Sequence, residues 1–315
     1  MSFASSVKDE VARLDLEPNV KKAQLCAVVK LLSVLGFSSN GMSLTIRSKN
    51  ATVIKMLTQD FEELYDVKPG LGAIKETKLD KANIYVLVVE EKVKDILKDL
   101  DLWTDSGLQQ HPRMKFLATD NMIKGYLTGC FLATGSVNSP TKTNYHMEVV
   151  ANEEEHAKFI AKLLNRFYIN AKIQVRRNQF VVYVKASEQI SDYLRLMGAS
   201  NAVMDFEDIR IQRDFVNSIS RLNNCELAND AKSLAVAARQ YEAVEYIIEN
   251  HHLEKLTEKD QEMALLRFEN PEASLLELSD LYLERTGVVI SKSGVRHRFV
   301  KIIELADKYR QKEEQ

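Results

Sequence analysis

The sequence is poor in residues that punctuate or staple a chain. Five prolines and 11 glycines in 315 residues are too few for a collagen-like or low-complexity segment, so folded structure is expected throughout. Cys26, Cys130 and Cys225 are odd in number and far apart. That excludes a disulfide framework and a CxxC metal knuckle, and it suits reduced thiols in a cytoplasmic protein. Apolar runs are short. Tyr85 to Val89 falls far below the roughly 20 residues that cross a bilayer, and the opening MSFASSVKDE has no apolar signal core, so neither membrane nor secretion is expected. No P-loop signature occurs, and Gly70-Leu71-Gly72 lacks the third glycine and preceding strand of a dinucleotide loop, so no cofactor is expected. His251 and His252 adjoin without a neighbouring Cys or further His, which argues against a metal site. Nor is one charge in excess: with 43 Lys+Arg against 45 Asp+Glu, net charge -2, nothing draws the whole chain to nucleic acid.

What is present is an ordinary globular composition, 45% hydrophobic and 28% charged, on a chain long enough for two or three domains. The charge is unevenly placed. Residues 1–210 hold 28 basic and 26 acidic residues, whereas residues 226–290 hold 6 basic and 14 acidic. From Ser291 to Arg310 the balance reverses: Lys292, Arg296, Arg298, Lys301, Lys308 and Arg310 face only Glu304 and Asp307. A basic helix on an acidic body would be drawn to DNA along one face and repelled elsewhere.

An internal repeat organises the first 200 residues. The small-residue apolar runs Gln24 to Gly36 and Tyr126 to Val137 have helical length. Each precedes an alternating strand, Ser43 to Lys49 or Asn144 to Val150, and then a helix capped by Asn50 or Asn152. Hairpins follow: Leu71 to Lys78 with Asn83 to Val89, and Lys172 to Arg176 with Gln179 to Lys185 around Arg177-Asn178. In the second hairpin Ile173, Val175, Phe180, Val182 and Val184 share one face, leaving Lys172, Arg176 and Lys185 on a polar face with Arg177 at the turn. His146 and Glu148 also share a polar strand face and are read as solvated side chains. Short helices, Val93 to Leu100 and Ile190 to Met197, close the halves.

The last third reads as helical. Asp205 to Asn224 is expected to be a connector with a helical portion, followed by an amphipathic helix over Ala231 to Asn250 and a shorter one over Thr257 to Phe268. Ser274 to Glu277 has the pattern of a capping box opening a helix through about Arg285, Gly287 turns the chain, and Ser291 or Ser293 caps a final basic helix. That spacing suits a helix-turn-helix. Val295, Phe299, Ile302 and Leu305 would face inward. Ser293, Arg296 and His297 are the candidates for base contacts, and Lys292, Arg298 and Lys301 for phosphate contacts.

The repeat order resembles the LAGLIDADG homing-endonuclease fold, in which two motif helices pack along a pseudo-twofold axis and the sheets form a DNA saddle. Leu127 to Gly135, LTGCFLATG, carries the second motif, with Gly129, Ala133 and Gly135 at the small positions; Leu25 to Ser33, LCAVVKLLS, is a degenerate first motif. Active relatives hold a metal with a carboxylate at the penultimate motif position, which is Thr134 or Leu32 here. The resemblance therefore implies a retained fold without nuclease chemistry.

SFASSVKDEVARL, GYLTGCFLATGSV, SISRLNNCELAND, NPEASLLELSDLY and ISKSGVRHRFVKI extend the likeness over nearly the whole chain. Together they resemble the WhiA family of bacterial DNA-binding regulators. The expected architecture is α+β: a duplicated LAGLIDADG-like domain over 1–204 (repeats at about 20–100 and 121–200), a linker over 205–225, and an all-α helix-turn-helix domain over 226–315. The family implies a non-catalytic, cytoplasmic, nucleoid-associated protein. It would bind double-stranded DNA as a regulator of sporulation or of cell division and chromosome segregation. Two alternatives stand beside it: a metal-dependent nuclease using other carboxylates, and a repeat domain serving as a protein-interaction platform.

Overall fold

Alternating strands and small-residue helices produce the same motif twice. The computed structural model describes residues 2–39, 41–75 and 83–313. The first repeat comprises α1 (Phe3–Val11), α2 (Pro18–Leu32), β1 (Ser33–Ser38), β2 (Gly41–Ser48), α3 (Ala51–Tyr65), β3 (Gly70–Lys75), β4 (Asn83–Val89) and α4 (Val93–Asp99). After a short hairpin, β5 (Trp103–Thr104) and β6 (Gly107–Leu108), the order recurs. The second repeat is α5 (Asp120–Thr134), β7 (Ser136–Val137), β8 (Met147–Ala151), α6 (Glu154–Arg166), β9 (Lys172–Arg176), β10 (Gln179–Val184) and α7 (Ser187–Leu196). Each repeat builds a 4-stranded antiparallel sheet, ordered β1-β2-β4-β3 and β7-β8-β10-β9.

The two sheets share a core through α2 and α5, which cross closely. A Cβ on Gly129 would lie 2.2 Å from the Gln24 carbonyl oxygen, and one on Gly125 2.7 Å from that of Val20. Only glycine lets the backbones approach so far. Gly135, expected at this crossing, instead ends α5, where a Cβ would strike Phe131 of its own helix.

Two further expectations are corrected. The apolar run from Gln24 is helical only to Leu32; Ser33 to Gly36 already belong to β1, paired with β2 through Ser33 and Ile46 and through Leu35 and Leu44. Residues 205–225, expected to be a connector with only a helical portion, are helical throughout, because α8 (Ser200–Glu249) runs unbroken and absorbs the separate helix expected from Ala231. Residues 76–78 of the expected Leu71 to Lys78 strand lie outside the described residues.

By its internal packing the chain forms two units, Met1–Asp214 and Phe215–Gln315. In the second, the rest of α8 is followed by a 3-10 turn (Leu253–Lys255), α9 (Glu258–Glu269), α10 (Leu275–Thr286) and α11 (Lys292–Glu313). Val244 and Ile247 of α8, Met263 of α9, Leu278 and Tyr282 of α10, and Val295, Phe299 and Ile302 of α11 make its core.

Candidate nucleic-acid interface

The local sequence sets the angle between α10 and α11. Ser274 Oγ accepts from the Glu277 amide at 3.2 Å while a Glu277 carboxylate oxygen accepts from the Ser274 amide at 2.7 Å, closing the expected capping box. Gly287 ends α10 at φ 70°, a left-handed conformation suited to glycine. Ser291 Oγ accepts from the Gly294 amide at 3.2 Å and caps α11. Across the turn, Ser279 Oγ donates to the Ile290 carbonyl at 2.5 Å.

A helix turns about 100° per residue. Taking buried Val295 as the origin, Phe299, Ile302 and Ala306 fall on the inward side. Arg296, Ser293, His297 and Lys301 follow one another across the opposite side, and all four are exposed, as is Lys292 at the amino end. Arg298 lies on the inward flank and is the exception among the expected contacts. Its guanidinium bonds to Asp260 Oδ1 at 2.8 Å, with the Asp260 carboxylate almost wholly buried and also accepting from Thr257 Oγ1. The Arg298 side chain therefore ties α11 to α9 and is not presented with the other cations.

Sequence reasoning missed Arg267, which is 1% exposed. Its Nη1 donates to the carbonyls of Asn270, Pro271 and Ala273, and its Nη2 to Gln240 Oε1. It thereby fixes the loop that launches α10. Burial alone pushes its pKa down to about 10, which leaves it charged at neutral pH. The available signal was the cation at the end of α9, just before Asn270-Pro271.

On the repeat unit the second hairpin has the expected register, Gln179 opposite Arg176 and Tyr183 opposite Lys172, and its turn residues Arg177 and Asn178 both have positive φ. Lys172, Arg177 and Lys185 are exposed, and Lys185 lies over the Tyr183 ring. Arg176 is paired with Glu148 at 3.2 Å. Burial raises the Glu148 carboxyl, but hydrogen bonds and charge from His146 and Arg176 outweigh it and hold the group below the usual carboxylate range. The His146 and Glu148 side chains are thus engaged with each other at 2.9 Å. Val181 faces the same side as Tyr183 but is buried.

At the motif positions, Thr134 Oγ1 donates to the Val150 carbonyl at 2.7 Å and accepts from the Val150 amide at 3.2 Å, so its hydroxyl is spent on β8. Leu32 packs against the core. Among the described residues no three His, Cys, Asp or Glu side chains gather as a metal ion would require.

Residues 18–103 match the WhiA N-terminal LAGLIDADG-like domain, residues 123–216 the WhiA LAGLIDADG-like domain, and residues 219–306 the WhiA C-terminal HTH domain. The chain belongs to the WhiA family. It is 37% identical over 313 residues to the probable cell division protein WhiA of Latilactobacillus sakei, covering 99% of each chain. It is 38% identical over 314 residues to that of Staphylococcus aureus (strain USA300), covering 100% of this chain and 99% of the relative. The crystal structure of full-length WhiA from Thermotoga maritima shares the fold at 23% identity and TM-score 0.57, covering 98% of this chain and 99% of that one. The α+β architecture of two LAGLIDADG-like repeats and a helix-turn-helix domain is thus that of WhiA. Among the described residues, no helix is long and apolar enough to cross a membrane.

Proposed function

We propose that this WhiA-family chain is a non-catalytic, nucleoid-associated protein that binds duplex DNA through α11 and acts in cell division, as its relatives are named. One observation carries the reading. Arg296, Ser293, His297 and Lys301 form a continuous exposed strip on a capped helix of a helix-turn-helix domain, and the acidic body surrounding it would keep DNA to that strip. Ser293, Arg296 and His297 are positioned for base edges, and Lys292 and Lys301 for phosphates. Arg298 is withdrawn from that set. The reading without catalysis is supported by Thr134, whose hydroxyl is occupied where a metal-holding carboxylate would be needed.

Binding is tested by titrating duplex DNA at several salt concentrations. Arg296→Ala is expected to weaken binding by about 1–3 kcal/mol with relaxed sequence preference if it reads a base, and Lys301→Ala to lower the salt slope by about 1. Unchanged binding in both, with circular dichroism unaltered, would move the DNA surface away from α11. Chromatin immunoprecipitation of the tagged protein separates binding at promoters, which would indicate a sporulation-type regulator, from broad chromosomal binding linked to segregation.

For the repeat unit, two readings remain distinct. Lys172, Arg177 and Lys185 could add phosphate contacts from the second sheet. The first sheet favours a protein partner: the register puts Val34, Thr45, Arg47, Ile74, Ile84, Val86 and Val88 on the face away from the core, together with Gly70 and Gly72. Arg47 is the one cation among these paired residues, too little for a DNA saddle.

A further inference from the structure

The helix-turn-helix unit has a helix face that its own residues leave uncovered. On α10, Leu276, Asp280 and Glu284 recur at every fourth residue and form one row, with all three exposed and Leu276 at 60%. Leu283, also exposed, flanks the row. Beside it opens a groove of about 800 Å³ lined by Glu269, Glu272, Glu277, Asp280 and Glu284. Two of these carboxylates are engaged, Glu269 with Arg285 and Glu277 with the Ser274 amide. Among the described residues, Glu272, Asp280 and Glu284 have no cation to balance them. A face that combines exposed leucines with unbalanced carboxylates suits a partner that brings both cations and an apolar side chain.

The matching pattern lies on the same chain. On α11, Lys292, Arg296 and Val300 also recur at every fourth residue; all three are exposed, Val300 at 43%, and neither cation is in an ion pair. Four residues advance a helix by about 6 Å, so the two rows share one spacing. Laid antiparallel, Lys292 meets Glu284, Arg296 meets Asp280 and Val300 meets Leu276. Two opposite-charge pairs and one apolar pair fall in a single register, along the i±4 ridges by which helices pack. Laid parallel, the match fails, since Val300 then meets Glu284 and Lys292 meets Leu276. Within one copy the rows form no ion pair, because α10 and α11 pack on each other through Leu278, Tyr282, Val295 and Phe299. Agreement in charge and in apolar position therefore selects a second copy of this chain as the occupant.

We propose that α11 of one copy docks antiparallel on the α10 face of another, pairing Lys292 with Glu284, Arg296 with Asp280 and Val300 with Leu276. The contact joins unlike surfaces, so each copy keeps a free row of the other kind and further copies can add. Exposed ion pairs are individually weak and screened by salt, so the association is weak and salt-sensitive. Docking covers Arg296, and a copy held this way cannot present that side chain to DNA. The docking itself stands whether or not α11 binds DNA; only the competition between the two rests on that reading.

Sedimentation velocity of the full-length protein over a range of concentrations, at low and high salt, tests the docking. Self-association is expected at low salt and is expected to be lost at high salt. Two double variants at exposed positions, Asp280→Lys with Glu284→Lys and Lys292→Glu with Arg296→Glu, are each expected to lower it about 10-fold or more. An equimolar mixture of the two is expected to recover it, because each mixed pair keeps one native contact and gains one with both signs exchanged. Mixing would not cure a folding defect. Duplex DNA is expected to disperse the parent protein; association that persists under duplex, with mixing still restorative, supports the docking and counts against α11 as the DNA helix. Self-association indifferent to both double variants, or a mixture that fails to recover it, would overturn the proposal. So would monomers at low salt, which would leave the α10 face to a basic segment of another protein.

Discussion

Asp60 offers a sharp test of how burial and charge combine in the repeat unit. Its carboxyl sits on α3 behind Lys21, and its pKa is raised to about 7: burial is the main cause, the Glu63 charge adds to it, and Lys21 opposes it. The unfolded chain would release this proton near pH 3.9, so between about pH 4 and pH 7 the folded state binds a proton that the unfolded state does not. The sign follows. Stability contributed by this group is greatest at low pH and declines as pH rises, levelling off above about 7. A raised value of about 7 against about 3.9 corresponds to about 4 kcal/mol lost at pH 8, and to about 2 kcal/mol at pH 5.5. Asp60→Asn has nearly the same shape and no proton to lose. The variant is therefore expected to be more stable than the parent by about 2 kcal/mol at pH 5.5 and by about 4 kcal/mol at pH 8. Denaturant unfolding followed by circular dichroism at the two pH values measures both gaps. A gap that does not widen with pH, or a destabilised variant, would refute the reasoning, because either result would mean that Asp60 is charged and satisfied in the folded protein.

Arg298→Ala is expected to separate structure from recognition: it leaves the Asp260 carboxylate buried without its cation, costing about 3 kcal/mol of stability, whereas Arg296→Ala should leave the melting temperature unchanged and weaken DNA. Thermal melts beside binding isotherms decide this. Purified protein is expected not to nick supercoiled plasmid with Mg²⁺ or Mn²⁺; EDTA-sensitive nicking that co-elutes with the protein on gel filtration would restore the nuclease alternative. Limited proteolysis is expected to cut α8 between Arg210 and Arg221, where most residues are exposed, and to yield two folded fragments. Residues 226–315 alone should bind DNA more weakly than the whole chain, since the repeat unit's exposed cations add contacts only when tethered. Equal binding at every salt concentration would assign the repeat unit to a protein partner.

Much of this was legible in the sequence, for reasons that differ by element. The register of the second hairpin could be assigned because its period-2 pattern and two-residue turn leave one pairing that buries Val182 and Val184, but Ile173 and Val175, expected on the same core face, stay exposed on the edge strand while Val181 of the polar face is buried. The α10 and α11 boundaries were equally clear, since capping is a local matter of Ser274, Glu277, Gly287 and Ser291. The end of α2 was not: Leu31 to Gly36 is apolar on both sides of the boundary, and an apolar run does not distinguish a buried helix from a strand without punctuation. The length of α8 was misjudged because the apolar period fades near Asn223-Asn224, although no glycine or proline occurs between Gly198 and Pro271 to break a helix. Arg298 shows why a count of cations overstates a binding face. Two residues away Arg296 is free, and a rotation of about 200° along α11 puts one toward solvent and the other toward a buried aspartate.

The two hydrogen bonds of the Thr134 hydroxyl bear on what else this position could hold. A chain with a carboxylate at this position and one with Thr134 differ by more than one side chain. Placing aspartate here would set an anion against the Val150 carbonyl, which lies 2.7 Å from the hydroxyl and receives its proton. Either β8 would shift or the new carboxylate would hold a proton, and neither outcome supplies a metal ligand. The hydroxyl thus locks this position: β8 has closed on it from both its donor and its acceptor side, and no carboxylate fits there without a cost.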